Sequence, residues 1–420
     1  MKKKVVFIVF TIGILIISCN VPRQEEPKMV KSGFEIAEQQ LRQQLQKLSG
    51  HIEFPRTIKN GKLFTTRLND WTDGFFPGCL WYLYDYNHKE EWKQVAIQWT
   101  EYLEPIKKIT SHHDIGFLMY CSYGNAYRLT GNEKYKEVLI ESANSLCKRF
   151  DEVTGCIKSW NYRKAWNGKD EWFYPVIIDN MMNLELLYFA TKVTGDLQYA
   201  SIANRHAETT LKNHFRDDYS CYHVVDYDKD TGEVLHRATC QGFSDNSAWA
   251  RGQAWAIYGY TMAYRETRNK EFLNVAVHAA DFWLTHPNLP EDGIPYWDFN
   301  AGQSGYTPDW HYDIERFKTV PRDASAAAIV ASAFIELSDY VTDGNRYMNA
   351  AGHILKSLSS SEYLAAPGTN ENFLLKHSVG SIPHNEEIDV PLVYADYYFL
   401  EALLRYKNKL QKVDNHNKKC

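Results

Sequence analysis

Strongly apolar segments alternate with amphipathic ones along most of the chain. From Glu133 onward, apolar residues recur every three or four positions with Lys and Glu between them, which is the pattern of a helix with one buried face. Each amphipathic segment follows a segment that is apolar at nearly every position, such as residues 324–337. A helix of that composition is buried on all sides. The pattern therefore predicts buried and surface helices in alternation.

A short motif recurs in the turns that lead from a buried helix into the next surface helix. Turn-forming Gly, Asn or Asp residues stand a few positions before an aromatic residue. The copies end at Trp92, Tyr135, Tyr199, Phe272 and Tyr347. Recurrence of this kind indicates that one helix pair is repeated along the chain.

The repeated pair predicts an all-α fold. Buried helices are expected to begin near residues 74, 114, 179, 249, 323 and 390. A surface helix over 34–48 can pair with the last of them, which makes twelve helices in two concentric layers, an (α/α)6 barrel formed by a single domain over 34–408. Residues 221–238 are expected to form a small hairpin and 409–420 a polar tail. The long loops all enter the buried helices, so the functional site is expected at that rim.

The N-terminus carries the pattern of an export signal. Three lysines precede the apolar run 5–17, which is too short for an ordinary membrane-spanning helix, and Ser18 and Cys19 follow. We interpret 1–18 as a bacterial lipoprotein signal peptide, Cys19 as the lipidated residue and 19–33 as a linker. The protein would then be held in the cell envelope by this anchor alone, facing the periplasm or the outer-membrane surface. A plain signal peptide is the alternative.

Composition narrows the classes of partner. The net charge is −5 and no long basic block lies outside the termini, so nucleic acid is not expected as a partner. The cysteine spacing matches no zinc motif, and we expect neither a metal nor a cofactor. Exported proteins can form disulfides, and the sequence does not decide whether Cys221 and Cys240 are bonded to each other. Aromatic residues make up 14% of the chain, which suits a site that stacks on sugar rings or a Tyr-rich core.

Aspartates stand near the starts of most predicted buried helices. Because Asp is favoured at helix N-termini, Asp73, Asp323 and Asp389 are interpreted as helix caps. Asp114 and Asp179 begin helices that are apolar throughout, close to histidines or aromatic residues. If these two carboxylates face each other across the barrel mouth, repulsion and burial would raise the pKa of one of them and let it act as a general acid.

Polar residues in an aromatic setting form a second group of candidates. Arg251 lies between Trp249 and Trp255, where an arginine either binds a carboxylate through paired hydrogen bonds or only stacks on indole. His223 and Gln241 are weaker candidates, since position in a loop is their only support.

A resemblance to a known family rests on four segments: SHHDIGF, VIIDNMMNLELL, CQGFSDNSAWARGQAW and DVPLVYADYYFLEALLR. Together they resemble the unsaturated glucuronyl hydrolases of glycoside hydrolase family 88, over about residues 35–408. The unsaturated rhamnogalacturonyl hydrolases, which act on pectin fragments, share the fold but typically read RGN-G-W where this chain reads RGQAW. The chain is therefore more similar to the glucuronyl group.

The resemblance implies a hydrolase that removes an unsaturated uronic acid from the non-reducing end of glycosaminoglycan di- and oligosaccharides left by lyases. A carboxylic acid protonates C4 of the C4=C5 bond, water adds at C5, and the opened ring releases the next sugar. Asp179 matches the family's general acid and base, and Asp114 matches its second carboxylate. Further residues match family positions that contact the unsaturated sugar: Trp71, His223, Gln241, Trp249, Arg251 and Trp255. Trp160 or Trp166 is expected beside the next sugar.

The resemblance implies less about the preferred glycan. Members that act on sulfated fragments tend to carry Ser and Lys before the last inner helix. Here Ser378 and Ser381 are present, but Pro383 stands where Lys is expected, which implies tolerance of sulfate rather than selection for it. Chondroitin- or hyaluronan-derived disaccharides are the first expectation and heparin-derived ones the second. A pectin-directed hydrolase and a non-catalytic glycan-binding lipoprotein are the alternatives.

Overall fold

The computed structural model describes residues 26–49, 51–165, 168 and 170–417, with side chains up to residue 412. Within those residues the chain forms long helices in the predicted alternation. The α-helices are α1 (Lys28–Lys47), α2 (Phe75–Asn87), α3 (Glu90–Glu101), α4 (Ile115–Met119), α5 (Asn125–Thr130), α6 (Glu133–Cys147), α7 (Leu184–Thr194), α8 (Leu197–His214), α9 (Ala250–Thr267), α10 (Lys270–Thr285), α11 (Ala324–Leu337), α12 (Gly344–Leu358) and α13 (Val393–Asn417).

Six helical segments of the described chain close into an inner ring. A π-helical turn, Tyr120–Gly124, joins α4 and α5 into one segment, and the 3₁₀ turn Ile178–Asn183 leads into α7. α2 packs on the α4–α5 segment, which packs on α7, followed by α9, α11 and α13, and α13 returns to α2. Helices α1, α3, α6, α8, α10 and α12 lie outside, each against an inner helix. The predicted (α/α)6 barrel is confirmed.

The inner helices are buried all round, as their composition predicts. Every residue of α11 except Glu336 is buried, and so is every residue of α9 from Ala250 to Ala263. An outer helix such as α6 buries one stripe, which includes Tyr135 and Leu139, and turns Lys and Glu outward. The hydrophobic core therefore fills the space between the two layers.

The recurrent turn motif has a geometric cause. Gly131 and Gly195 end α5 and α7 with φ values of +65° and +77°, a left-handed conformation in which glycine has no Cβ to clash. The next residue, Asn132 or Asp196, accepts a hydrogen bond from the backbone N–H two positions on and so caps the outer helix. The aromatic residues of the motif are buried. The same geometry thus reverses the chain at both of these turns.

Short antiparallel strands line the rim where the inner helices begin. The strands are β1 (Phe54–Lys59), β2 (Lys62–Thr66), β3 (Phe150–Asp151), β4 (Cys156–Ile157), β5 (Arg163–Lys164), β6 (Glu171–Trp172), β7 (Pro175–Ile177), β8 (Val224–Tyr227), β9 (Val234–Ala238), β10 (Ser378–Ser381) and β11 (Glu386–Val390). β8 and β9 form the hairpin predicted within 221–238, and β7 adds a third strand to it. The remaining strands pair as β1–β2, β3–β4, β5–β6 and β10–β11. Most are too short to leave an alternating pattern in the sequence.

Two predicted boundaries are wrong. α1 begins at Lys28, so residues 28–33 are helix rather than linker, because Val30 and Gly33 are buried in the packing of α1 on α13. α13 continues to Asn417, so 409–417 extend the helix instead of forming a tail. The predicted signal peptide and Cys19 lie outside the described residues. In the described part, no helix combines the length and the apolarity needed to cross a bilayer.

Two buried histidines give the fold a predictable acid sensitivity. His206 Nδ1 accepts the Ile157 N–H at 3.0 Å, and His214 Nε2 donates to Val176 O at 3.1 Å. Burial lowers the pKa of each imidazole to about 3, against roughly 6.5 in an unfolded chain. Since the unfolded state binds more protons between these values, the free energy of unfolding should fall as the pH drops from 6.5, by up to about 1.4 kcal/mol per pH unit for each histidine.

Urea denaturation of wild type and His206→Gln at pH 7, 6 and 5 measures this effect. The carboxamide oxygen of Gln can still accept the Ile157 N–H, so the variant should fold. Its free energy of unfolding should fall less steeply with decreasing pH below 6.5, because one of the two buried histidines no longer contributes. His51→Gln, which changes an exposed histidine, is the matched control and should keep the full slope. Identical slopes in all three proteins would contradict the prediction.

Candidate active site

A cavity of about 270 Å³ opens at the rim where the inner helices begin, as predicted. Most of the predicted site residues meet there. Those that line it are Trp71, Asp114, Trp160, Asp179, Gln241, Trp249, Arg251, Trp255 and Ser381. His223 lies directly behind Asp179. Ser378 is fully buried in β10 and does not line the cavity, and Trp166 lies outside the described residues.

Asp179 lies in the first turn of the 3₁₀ segment, directly after β7. The turn is fixed to the neighbouring hairpin because the Ile178 N–H donates to His223 O at 3.0 Å. Asp179 is 6% exposed, and neither of its carboxylate oxygens has a hydrogen-bond partner among the described residues. A buried carboxylate without donors is rare in folded proteins and indicates a group reserved for a ligand or a reaction.

His223 directs an N–H group at Asp179. Its Nδ1 accepts the backbone N–H groups of Cys240 and Gln241 at 3.0 and 3.2 Å. Because a backbone N–H can only donate, the neutral ring carries its proton on Nε2, which lies 3.4 Å from Asp179 Oδ1. Burial lowers the pKa of His223 despite the nearby carboxylate. The neutral imidazole therefore points its N–H toward Asp179 Oδ1, at a distance just beyond that of an ordinary hydrogen bond.

Asp114 is at the N-cap position of α4, yet its side chain makes no cap hydrogen bond. Its Oδ1 lies 3.2 Å from His113 Nε2 and its Oδ2 lies 3.3 Å from His112 Nδ1. Burial acts to raise the pKa of Asp114, but the two imidazoles and the Arg149 guanidinium outweigh it and hold that pKa below its usual value. Asp114 is therefore ionised at neutral pH.

The other rim aspartates are structural, though not all in the predicted way. Asp323 caps α11 by accepting two N–H groups of its first turn at 3.0 and 3.4 Å. Asp73 does not cap α2 but accepts the Thr66 hydroxyl at 2.6 Å in the turn before that helix. The cap predicted for Asp389 is wrong, because α13 begins later and Asp389 lies in β11 with His377 Nδ1 2.6 Å from its Oδ1.

Arg251 stacks on an indole, which is one of its two predicted roles, and contacts a protein carboxylate through a single hydrogen bond instead of a pair. Its guanidinium stacks between Trp249 and Tyr394, 4.5 and 5.3 Å from the ring centroids. It donates to Asp323 Oδ2 at 3.2 Å and to two consecutive backbone carbonyls of β10. The acceptors of these hydrogen bonds are protein groups, so Arg251 holds the β10–β11 hairpin, and with it Ser381, over the cavity.

Several lining residues were missed by sequence reasoning. Arg56 on β1 pairs with Asp70 at 2.6 Å, and Arg163 on β5 donates to His384 Nε2 at 2.6 Å. Arg163 also stacks on Trp160, 4.7 Å from the ring centroid. These residues reach the cavity from short hairpins that no periodic pattern reveals. The only available signal was the closeness of Arg163 to Trp160 in the sequence.

The cysteines near the cavity are inert. Cys221 and Cys240 are separate buried thiols in the described structure, and burial raises the pKa of each to about 12. Among the described residues, no three His, Cys, Asp or Glu side chains converge in a way that could hold a metal ion.

A barrel rim with four indoles, a neutral histidine and an unpartnered buried carboxylate has the form of a carbohydrate-processing active site. The sequence model of Glycosyl Hydrolase Family 88 matches residues 50–293, and the chain belongs to this family.

Individual relatives agree with this assignment. The chain is 44% identical to an unsaturated glucuronyl hydrolase of Formosa agariphila, over 98% of this chain and all of the relative. It is 34% identical to an unsaturated chondroitin disaccharide hydrolase of Streptococcus agalactiae, over 84% of this chain and 86% of the relative. Among solved structures, an unsaturated glucuronyl hydrolase specific for heparin matches with a TM-score of 0.83 and 46% identity, over 90% of this chain and 97% of that one.

Proposed function

We propose that this protein is an unsaturated glucuronyl hydrolase that removes the 4,5-unsaturated uronic acid from the non-reducing end of glycosaminoglycan oligosaccharides. The named activities of its relatives support this substrate class. The observation that carries the proposal is the Asp179 carboxyl, which is buried at the cavity with both oxygens unpartnered. A group in that state is available to give a proton to a bound molecule and to take one back.

The reaction that fits these groups is hydration of a vinyl ether. Asp179 gives its proton to C4, and positive charge develops at C5 and the ring oxygen, where the ionised Asp114 at the same cavity favours it. Water then adds at C5 while the Asp179 carboxylate accepts its proton, which restores the acid. The C5 hemiketal opens to a ketone, and the hemiacetal left at C1 expels the next sugar. One water is consumed and no cofactor takes part.

The indoles suit this substrate. Trp71, Trp249 and Trp255 line the same cavity as the two carboxylates, and so does Trp160, on whose ring Arg163 stacks. Flat apolar faces of sugar rings stack on such groups. We therefore propose that the first three contact the unsaturated sugar, and that Trp160 contacts the sugar next to it.

We further propose that heparin-derived disaccharides are turned over at least as well as chondroitin-derived ones, which reverses the order expected from sequence alone. A solved structure that matches this chain with a TM-score of 0.83 and 46% identity is that of an unsaturated glucuronyl hydrolase specific for heparin.

Loss of ultraviolet absorbance from the C4=C5 bond tests the proposal. Purified protein would be given unsaturated heparin, chondroitin and rhamnogalacturonan disaccharides in parallel. Turnover of the glucuronyl substrates is expected. Turnover of the rhamnogalacturonan substrate alone would instead support a pectin-directed hydrolase, and binding of all three without turnover would support a glycan-binding protein.

We also propose that the mature protein is anchored in the cell envelope through lipid on Cys19. The proposal rests on the sequence pattern, since these residues lie outside the described structure. Mass spectrometry of the mature N-terminus should find a lipid-modified Cys19, and an unmodified N-terminus at another residue would contradict this.

A further inference from the structure

Helix α4 is capped by a residue from another helix. Asp114 occupies its N-cap position without binding any of its N–H groups. The N–H of the third helical residue, here Phe117, is one that an N-cap side chain commonly binds. In this structure it donates to Asn183 Oδ1 at 2.9 Å, and Asn183 ends the 3₁₀ turn that carries Asp179. A single amide has taken over the capping role that Asp114 would otherwise fill.

Gly116 permits this close approach. A Cβ at that position would lie 2.4 Å from Asn183 Oδ1 and 2.5 Å from Asn183 Cα. The second contact involves backbone, so no side-chain rotation relieves it. The starts of the two aspartate-bearing segments therefore touch at a position that only glycine fits.

The other end of the same amide faces His113. Asn183 Nδ2 lies 3.4 Å from His113 Nδ1, and the Phe117 N–H fixes which end of the amide is the oxygen. Because an amide nitrogen only donates, Nδ1 is the acceptor and neutral His113 carries its proton on Nε2. That Nε2 lies 3.2 Å from Asp114 Oδ1. His113 is fully buried, which favours the neutral ring.

We propose that Asn183 is a positioning residue for the two carboxylates. By accepting the Phe117 N–H it leaves the Asp114 side chain turned to the cavity, and by donating to His113 it directs an N–H at that carboxylate. Asn183 follows Asp179 by four positions in the same helical segment, so one side chain ties the placement of Asp114 to that of Asp179. The inference rests on the proposed function, because it assumes that both carboxylates act on the unsaturated uronate.

The first test compares Asn183→Ala with Asn125→Ala. Asn125 is a buried asparagine in the neighbouring α4–α5 segment, and its amide donates to Cys121 O and the Tyr397 hydroxyl. With the Phe117 N–H released, Asp114 should turn back to cap α4. We expect kcat on an unsaturated disaccharide to fall about 100-fold with little change in KM, the size of effect that a misplacement near 1 Å produces. Asn125→Ala should lower the melting temperature without lowering kcat.

A second variant separates positioning from loss of fold. Asn183→Asp keeps an acceptor for the Phe117 N–H but cannot donate to His113, so the imidazole proton moves to Nδ1 and Asp114 Oδ1 no longer faces an N–H group. It should stay folded and lose kcat. In an Asp114→Asn background, Asn183→Ala should cost far less than in wild type, because the two changes act through the same group. Equal fold losses in both backgrounds would overturn the proposal.

A crystal structure of Asn183→Ala gives a readout that does not depend on activity. The Asp114 carboxylate is expected to have rotated onto the Phe117 N–H, and an unmoved carboxylate would overturn the inference. If wild type turns over no unsaturated disaccharide, the proposed function fails and this structure still decides the role of Asn183. If wild type is active and Asn183→Ala matches it, the inference fails alone.

Discussion

Replacing Asp179 with Asn should lower kcat on an unsaturated uronyl disaccharide by at least about 10³-fold, with little change in KM. The carboxamide has the shape of the carboxyl group but cannot give a proton to carbon or take one from water. Because Asp179 is buried and neither of its oxygens accepts a hydrogen bond from the described residues, the carboxylate is an unfavourable group to bury. The variant should therefore be as stable as wild type or more stable, while it is nearly inactive.

Asp196→Asn is the matched control. Asp196 also begins a helix, but it caps α8 at the opposite rim, where Asn and Asp cap about equally well. Its activity and its urea midpoint should equal those of wild type. Near-wild-type turnover by Asp179→Asn, measured by loss of absorbance from the double bond, would remove Asp179 from the mechanism.

Replacing Arg251 with Met should lower the free energy of unfolding by about 3–5 kcal/mol. Arg251 and Asp323 are 1% and 0% exposed, and removing the guanidinium takes away the hydrogen bond to the buried Asp323 Oδ2. It also frees the two β10 carbonyls that hold the hairpin over the cavity. We expect kcat/KM to fall with stability, since the cavity wall is no longer held.

Two further variants separate charge from packing. Adding Asp323→Asn to Arg251→Met removes the uncompensated charge while keeping an acceptor for the cap, so it should recover part of the lost stability and none of the lost activity. Arg67→Met, at an exposed ion pair with Glu53, should change stability by less than about 1 kcal/mol. If the double variant is no more stable than Arg251→Met, the buried ion pair is not the cause of the loss.

The barrel could be predicted because its signals are local. A helix buried on all sides has an apolar residue at most positions, and Gly131 followed by Asn132 marks a turn with its own backbone geometry. The hairpins at the rim left no such signal, since a pair such as β5–β6 has only two residues in each strand. Consequently Arg56 and Arg163 were missed, although both line the cavity.

The roles of the aspartates show where sequence reasoning stops. Asp114 and Asp323 both occupy N-cap positions, and only Asp323 caps its helix. The difference arises from Asn183, 66 positions from the backbone N–H that it binds. No pattern around Asp114 encodes that contact. Its apolar surroundings and the family resemblance distinguished Asp179 from the other aspartates. Only the folded structure shows that neither of its oxygens accepts a hydrogen bond from the described residues.

The most direct test of the central claim, hydration of the C4=C5 bond at this site, is the reaction in ²H₂O followed by NMR. The account predicts that the double-bond signal disappears in step with release of the second sugar, and that the uronate product carries one deuterium placed on a single face of C4. Asp179→Asn should give neither change. Release of the second sugar while the double bond persists would contradict the account.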